Sequence, residues 1–505
     1  MFLRSRLRLA SSAAGLVTVL CGGVAGAAPA PGAAGVGDPY YPNAGNGGYS
    51  ISHYNIRLTY NPATDLLSGN TTILATATQD LSSFDLDFLL PIKSLRVNNF
   101  LAQTRTAAVG EVVVTPQAPL VKGSNITIVV EYAGTPSTVK DATGFTAWKK
   151  TPDGALANDE PDISPWWYPG DNHPTQKATY DVSVAVPNGT SVLSNGTLVS
   201  TAPQINGWTR WNWRSTKPQA SYLTYIAVGN FEIRNAVATN GQRIITAYSA
   251  NLGDNADAAK ASVERTGEII EFESSVFGDY PFEAQGGVVS PGINFALENQ
   301  TRPVYSNAFF RAGANTSVIA HENAHQWFGD SVSVQAWRNI WLNEGFATYA
   351  QYLWSEHEGE GTAAEVAQYY YDLRPADDPF WQFVVASPGA GNEFNNAVYQ
   401  RGGITLQALR NKIGDDNFFN LLKTWTSSHK YGNGTIEQFI ALAEKISGQP
   451  LFDFFQTWLF TPGKPAGGIG NPATAALSAK VAKAKPKSVD QIDLTHQILA
   501  TESHH

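Results

Sequence analysis

The sequence predicts a multidomain α+β protein in which a β-rich domain precedes a mainly helical one. Its 505 residues, 43% of them apolar, are enough for two or three domains with separate cores. Apolar and polar residues alternate in segments such as 54–60 and 126–132, which is the period of a half-buried strand. After residue 255 the apolar spacing becomes helical. The order of the two patterns along the chain predicts the order of the two domains.

The first 27 residues have the pattern of a secretory signal peptide. Arginines at positions 4, 6 and 8 precede an apolar run over 10–24, and Ala25-Gly26-Ala27 is a small-residue cleavage site. The only cysteine, Cys21, lies inside this segment. We therefore expect cleavage near Ala27, secretion to the extracellular space, and a mature chain without disulfide bonds.

Changes in composition predict the remaining boundaries. Residues 28–47 are rich in Ala, Gly and Pro and predict a flexible linker. Strand-like alternation broken by Asn-Gly turns predicts a β domain over 48–235, and a second domain follows over 236–465. Gly, Ala, Lys and Pro dominate 466–505, which we interpret as a disordered tail. Helices of the second domain are predicted over 256–277, 316–328, 343–356, 361–373, 402–412, 415–425 and 435–447.

Charge and hydropathy argue against two classes of partner. The formal net charge of −9 disfavours electrostatic binding to nucleic acid or to an anionic membrane. Beyond the N-terminal segment no stretch is long and apolar enough to span a bilayer. We expect a protein that binds neither nucleic acid nor membrane, and the sequence leaves its oligomeric state open.

The segment His321-Glu322-Asn323-Ala324-His325 has the spacing of a hydrolytic zinc site. Residues four apart project from one face of a helix, so His321 and His325 can bind the same metal ion. Glu344 is the predicted third ligand, on a neighbouring helix. A catalytic Zn²⁺ uses three protein ligands and leaves a fourth position open. The sequence thus predicts a peptidase site with one zinc ion per chain, in which Glu322 accepts a proton from water.

These motifs resemble those of the gluzincin aminopeptidases, the family of aminopeptidase N and leukotriene hydrolase. The zinc motif and Glu344 have the family's spacing, and Phe-Ala-Leu-Glu-Asn at 295–299 resembles its Gly-x-Met-Glu-Asn motif. Val-Tyr-Gln-Arg-Gly-Gly at 398–403 resembles the segment that carries its catalytic tyrosine, and 167–178 is similar to a signature of its β domain. The resemblance covers residues 48–465. It implies an antiparallel β-sandwich or saddle-like domain packed on a thermolysin-like, mainly helical catalytic domain.

The resemblance also implies roles for individual residues. Tyr399 is expected to stabilise the oxyanion of the tetrahedral intermediate. Glu298 and Glu160 are expected to bind the free α-ammonium group of the peptide substrate. Ala296 and Asn299 are expected to lie beside that peptide and complete the substrate-binding set.

Several residues depart from the family pattern. Phe295 and Leu297 replace the usual glycine and methionine, and Gln351 replaces an acid often found after Asn-Glu-Gly-Phe-Ala. The family's long helical C-terminal domain has no counterpart in this sequence, which predicts a more open cleft. Asp330 and Asn343 are candidates to orient a ligand histidine through its second ring nitrogen.

The predicted function is a secreted, zinc-dependent aminopeptidase that acts on peptides with a free N-terminus. One alternative is a zinc endopeptidase on the same site, in which Glu298 and Glu160 have only structural roles. Another is a non-catalytic peptide-binding protein that has kept the metal. Free and N-acetylated peptides distinguish the two enzymes, because only an aminopeptidase needs the free amine.

Overall fold

The computed structural model describes residues 28–470 and 485–499, which form two domains packed together. The predicted signal peptide, residues 1–27, lies outside the described residues. One hydrophobic core is built mainly by strands of the first domain and the other mainly by helices of the second. The predicted α+β, two-domain architecture is therefore confirmed. In the described ranges, no helix has the length and apolar character needed to cross a membrane.

The N-terminal domain is built from strands. In chain order the strands are β1 (Ala30–Pro31), β2 (Tyr49–Asn61), β3 (Leu66–Ala77), β4 (Leu81–Asp87), β5 (Ile92–Val97), β6 (Phe100–Leu101), β7 (Gln103–Ala108), β8 (Glu111–Thr115), β9 (Asn125–Gly134), β10 (Trp148–Lys150), β11 (Ala155–Ala157), β12 (Ala178–Pro187), β13 (Ser191–Ser194), β14 (Thr197–Gln204), β15 (Trp208–Gln219) and β16 (Ile226–Gly229). Within the described part of the chain, the largest sheet of this domain has eight strands in the order β14-β15-β12-β2-β3-β9-β5-β6.

The large sheet is mixed, which corrects the prediction of an antiparallel fold. β2 shows the predicted alternation, because Tyr54, Ile56 and Leu58 are buried while Asn55 and Arg57 are exposed. β2 pairs antiparallel with β3 but parallel with β12. A parallel pair needs a long crossover, and more than 100 residues separate β2 from β12. Period-two alternation specifies which face of a strand is buried but carries no information about the direction of its partner.

Residues 28–47 are not the flexible linker that composition predicts. β1 pairs with β4, and the Asp38 carboxylate is buried at 4% exposure. Asp38 accepts hydrogen bonds from His173 Nε2 of the first domain (3.1 Å) and from the backbone N–H of Trp337 of the second (2.8 Å). A Cβ at Gly32 would clash with the carbonyl oxygen of Gly47. Glycine is therefore used here for close backbone packing rather than for flexibility.

The second domain combines helices with a five-stranded sheet. Each predicted helix is present, and the predicted segment 256–277 forms two helices rather than one. The strands are β17 (Phe231–Val237), β18 (Arg243–Ser249), β19 (Ala284–Ser290), β20 (Ala296–Leu297), β21 (Val304–Ser306), β22 (Ser333–Val334) and β23 (Asn433–Gly434). The five-stranded sheet has the order β17-β18-β19-β21-β20. The helices are α1 (Ala256–Val263), α2 (Thr266–Phe277), α3 (Thr316–Ala324), α4 (Trp341–His357), α5 (Ala363–Leu373), α6 (Pro379–Gln382), α7 (Asn396–Ile413), α8 (Asp415–Ser428), α9 (Ile436–Ser447) and α10 (Phe452–Phe455), followed by a π-helical turn over Gln456–Phe460.

The predicted disordered tail, 466–505, contains a helix that packs on the second domain. The prediction of disorder was therefore wrong for residues 485–499. Helix α11 (Val489–Leu499) packs against α3. Val489, Ile492 and Leu499 are buried, and they follow the helical spacing of an amphipathic segment. The Ala, Lys and Pro content of the surrounding sequence concealed this short periodic pattern.

Candidate active site

Helices α3 and α4 bring together the three predicted metal ligands. His321 lies in the last turn of α3, His325 follows its end, and Glu344 lies in the first turn of α4. The Nε2 atoms of His321 and His325 lie 3.3 Å and 3.4 Å from Glu344 Oε2. None of the three residues is more than 3% exposed. The structure therefore forms one buried group of two imidazoles and a carboxylate.

The geometry of this group fits a zinc ion. Tetrahedral coordination with bonds of about 2.0–2.1 Å separates neighbouring ligand atoms by about 3.3 Å. The separations of 3.3 Å and 3.4 Å match that value. Two histidines and one glutamate are also a donor set used by catalytic zinc sites, in which the fourth position stays open.

Electrostatics around the three ligands favour a cation. Burial disfavours charge on His325, but the carboxylates of Glu344 and Glu298 outweigh burial and raise the pKa of this imidazole well above its ordinary value. Burial likewise disfavours charge on Glu344, yet His325 and His321 lower the pKa of its carboxyl to about 2. Negative charge at this position therefore persists in the protein interior, where a metal ion would balance it.

The second ring nitrogens of both histidines have hydrogen-bond partners. His325 Nδ1 donates to the carbonyl oxygen of Phe328 (3.0 Å), and His321 Nδ1 donates to Gln351 Oε1 (3.3 Å). These bonds keep one proton on Nδ1, so that each Nε2 can bind the metal, which displaces any proton held there. Asp330 and Asn343, the candidates named from the sequence, do not provide these contacts.

Glu322 lies beside the ligands, as the motif predicts. One carboxylate oxygen of Glu322, one carboxylate oxygen of Glu298 and one ring nitrogen of His325 all lie within 4.8 Å of one another. The Glu322 side chain is 2% exposed, and its Oε1 atom has no hydrogen-bond partner among the described residues. Burial raises the pKa of the Glu322 carboxyl well above its ordinary value. A carboxylate in this environment binds a proton more readily than a solvated one, which suits a general base.

Tyr399 packs against the predicted ligand His321. It lies on α7, and its ring stacks on that of His321 with a centroid distance of 5.9 Å and an interplanar angle of 18°. The side chain is 3% exposed. The structure thus places Tyr399 at the site, and its role in oxyanion stabilisation remains a prediction.

Glu298 and Glu160 are both buried and come from different segments of the chain. Glu298 follows strand β20, and its Oε1 atom accepts a hydrogen bond from the Tyr222 hydroxyl (3.4 Å). Burial, followed by the charges of Glu298 and Glu160, raises the pKa of Tyr222 well above its ordinary value. Both carboxylates are at most 9% exposed. Glu298 thus lies beside Glu322 and His325, and the joint binding of the substrate amine by Glu298 and Glu160 stays a prediction.

The other two predicted substrate-binding residues differ in placement. Ala296 lies on β20, whose only paired neighbour among the described strands is β21. One edge of β20 beside Glu298 is thus without a strand partner. Asn299 is fully buried, and its Nδ2 atom donates to the carbonyl oxygen of Leu223 (3.2 Å). Asn299 fixes the loop after β20 to the N-terminal domain.

Sequence reasoning missed a group of aromatic residues around Tyr222, whose hydroxyl contacts Glu298. The Trp337 ring lies 5.4 Å from that of Tyr222 and 6.1 Å from that of Tyr41. Trp337 and Tyr41 line a cavity of about 390 Å³ together with Pro161, the residue after Glu160. No motif points to Tyr41, because it lies in the segment interpreted as a linker.

His496 is a second residue that the sequence analysis did not assign to the site. Its ring centroid lies 6.2 Å from that of His321 and 5.8 Å from that of Tyr399. Its Nε2 atom lies 2.8 Å from Gln351 Oε1. Burial and the nearby His321 lower the pKa of His496 to about 3, so its imidazole is neutral. The amphipathic spacing of 489–499 was the available signal for this contact.

Two family descriptions match the chain, and they divide it as the structure does. The Peptidase M1 N-terminal domain matches residues 50–223, and the Peptidase family M1 domain matches residues 262–458. The chain belongs to peptidase family M1. The resemblance to gluzincin aminopeptidases is thereby confirmed. The metal ligands, Glu322 and Tyr399 all lie within the matched catalytic domain of this M1 protein.

Curated M1 relatives are longer than this chain. Aminopeptidase M1-A of Oryza sativa subsp. japonica is 26% identical over 334 residues, which are 62% of this chain and 37% of that protein. Aminopeptidase N of Lactococcus lactis subsp. lactis is 28% identical over 327 residues, which are 59% of this chain and 38% of that protein. The chain therefore spans well under half the length of these two relatives.

A solved M1 structure of similar extent also matches. The M1 zinc metallopeptidase from Deinococcus radiodurans superposes with a TM-score of 0.77 at 27% identity, covering 87% of this chain and 99% of that one. A mutant of the Deinococcus radiodurans protein, bound to a Tyr-Ser-Ala substrate, superposes with a TM-score of 0.76 at 27% identity, covering 87% of this chain and 100% of that one. The two-domain architecture is therefore shared with a zinc metallopeptidase.

Proposed function

We propose that this M1 protein is a secreted zinc aminopeptidase that removes N-terminal residues from peptides. The observation that carries the proposal is the position of Glu298, an oxygen of which lies within 4.8 Å of candidate ligand atoms of Glu322 and His325. The α-nitrogen of a peptide is about 2.5 Å from its first carbonyl carbon, given N–Cα and Cα–C bonds of about 1.5 Å each. An ammonium group paired with Glu298 therefore brings the first peptide bond, rather than an internal one, to Glu322.

The residues around the ligands divide the chemistry between them. When bound, zinc supplies Lewis-acid chemistry that polarises the scissile carbonyl and lowers the pKa of water. Glu322 accepts the proton of the attacking water and passes it to the nitrogen of the leaving amine. The Tyr399 hydroxyl donates a hydrogen bond to the oxyanion as it develops. The free edge of β20 is available to hydrogen-bond an extended peptide backbone.

The test is turnover of a panel of peptides, each supplied free and N-acetylated, by the wild-type protein and Glu322→Gln. We expect cleavage of free peptides at the first bond only, loss of that cleavage in Glu322→Gln, and only residual cleavage of acetylated peptides at the same bond. Cleavage of acetylated peptides at internal bonds would instead make the protein an endopeptidase. Binding of free peptides with no turnover by the zinc-loaded wild type would make it a peptide-binding protein.

Secretion is part of the same proposal and has a separate test. The arginines, apolar run and small-residue site before Ala27 support it. Expression of the full chain in a secreting host should give extracellular protein whose N-terminal sequence begins near Ala28. Protein retained inside the cells with residues 1–27 intact would contradict secretion. The net charge of −9 also supports the expectation that the protein binds neither nucleic acid nor anionic vesicles.

A further inference from the structure

Helix α11 completes the N-terminal turn of the zinc helix α3. Gln491 Oε1 accepts hydrogen bonds from the backbone N–H groups of Thr316 (3.1 Å) and Ser317 (3.4 Å). Asn315, the N-cap residue of α3, donates through Nδ2 to Thr495 Oγ1 (3.2 Å). The first N–H groups of a helix have no partner within it, so an external acceptor stabilises that turn. The segment beyond the matched catalytic domain therefore supports the element that carries His321.

A second connection runs from α11 to the ligand itself. Gln351 Oε1 lies 3.3 Å from His321 Nδ1 and 2.8 Å from His496 Nε2, while Gln351 Nε2 donates to Ser317 Oγ (2.8 Å). All four side chains are buried, with exposures of at most 5%. The contacts form a continuous series that runs from His496 of helix α11, through the Gln351 amide group, to the metal ligand His321.

Binding of the metal by His321 determines which groups donate and which accept in this series of hydrogen bonds. His321 presents Nε2 to the metal, so its Nδ1 carries the proton and donates to Gln351 Oε1. The same oxygen has a second lone pair, which accepts the Nε2 proton of His496. His496 Nδ1 has no partner among the described residues, so the proton is more favourably placed on Nε2. Two N–H donors therefore meet one amide oxygen.

We propose that His496 is a positioning residue that fixes the Gln351 amide and, through it, the orientation of His321. Rotation of the amide by 180° would turn its NH₂ group toward the His321 Nδ1 proton, opposing donor to donor. The Ser317 hydroxyl both donates and accepts, so it does not prevent this rotation. The His496 N–H favours the orientation with oxygen toward His321. We therefore expect a change at His496 to alter metal affinity rather than peptide specificity.

The test is zinc affinity of the full chain, measured by competition with a chromophoric chelator, for wild type, His496→Ala and His496→Gln. Loss of a group that orients a ligand typically weakens metal binding by about 10–100-fold, and we expect a value in this range for His496→Ala. His496→Gln keeps an N–H near the Nε2 position and should recover most of the affinity. Tyr370→Phe is the matched control, because it removes a different contact of α11, the hydrogen bond to Asp493 (2.8 Å).

A double-mutant cycle separates positioning from general loss of the helix. If His496 acts through Gln351, His496→Ala should weaken zinc binding in the wild-type background and have no further effect in Gln351→Ala. The proposal would be overturned if His496→Ala lowered zinc affinity by the same factor in the wild-type and Gln351→Ala backgrounds. It would also be overturned if the zinc affinity of His496→Ala lay within about two-fold of the wild-type value. Equal losses in His496→Ala and Tyr370→Phe would show that docking of α11, rather than this imidazole, is what matters. Because zinc binding is read directly, an inactive but zinc-binding protein would refute the proposed function and leave this inference standing.

Discussion

Glu298→Gln removes one negative charge from the site while preserving the shape of the side chain. Glu298 is 2% exposed, and Glu160 remains as a second buried carboxylate whose charge also raises the pKa of Tyr222. Truncating one partner of a buried charge pair costs about 2–5 kcal/mol. Because the second acid stays in place, we take the lower end of that range. A loss of about 2–3 kcal/mol corresponds to a decrease of roughly 30–150-fold in kcat/KM.

The assay compares kcat/KM for matched free and N-acetylated dipeptide reporters. For Glu298→Gln we expect the decrease for free substrates, and the ratio of free to acetylated turnover should fall with it. Glu111→Gln is the control, because it removes a buried carboxyl from the N-terminal domain and should leave kcat/KM unchanged. An equal decrease for free and acetylated substrates would refute the assignment of Glu298 to the ammonium group, and so would an unchanged kcat/KM for free ones.

Three further predictions concern other parts of the site and its support. Glu322→Gln should lower kcat by about 10²–10⁴-fold while retaining zinc, because a general base contributes that much; metal analysis beside kinetics checks it. Tyr399→Phe should lower kcat by about 10²–10³-fold with little change in KM, as expected for a donor that acts on the oxyanion; unchanged kcat would count against that role. Lys177→Met should lower the free energy of unfolding by about 3 kcal/mol, because it removes three hydrogen bonds from the Lys177 ammonium group to backbone carbonyl groups of the catalytic domain, each worth about 1 kcal/mol. Denaturant unfolding measures this change, with the exposed Lys93→Met as the control.

The parts of the fold that could be predicted are those specified by local spacing. Strand β2 was predictable because every second residue is apolar, and helix α3 because His321 and His325 are one turn apart. The zinc ligands follow from the same local rule, with Glu344 added by its motif. A shared role for Glu298 and Glu160 was implied only by resemblance, because the two residues come from different domains and no local spacing relates them.

The residues that were missed depend on contacts between distant parts of the chain. Asp38 binds the backbone of Trp337, 299 residues later, and His496 binds Gln351, 145 residues earlier. No local period or composition specifies such a pair. Asp38 lies in an Ala-, Gly- and Pro-rich segment, and His496 follows another Ala-rich stretch over 466–487; such compositions are typical of unstructured segments.

The two segments interpreted as loose are the ones that connect separate parts of the active site. Residues 28–47 and 485–499 both lie outside the ranges matched by the M1 descriptions, 50–223 and 262–458. The first places Asp38 between the two domains beside Trp337, and the second places His496 behind His321. The matched ranges thus contain the groups proposed to act on the substrate, while the flanking segments satisfy the buried polar groups that hold them. Without those segments, Gln351 Oε1 would keep only His321 as a donor, and the Trp337 N–H would lose its acceptor, a loss that costs about 1–3 kcal/mol for a buried group.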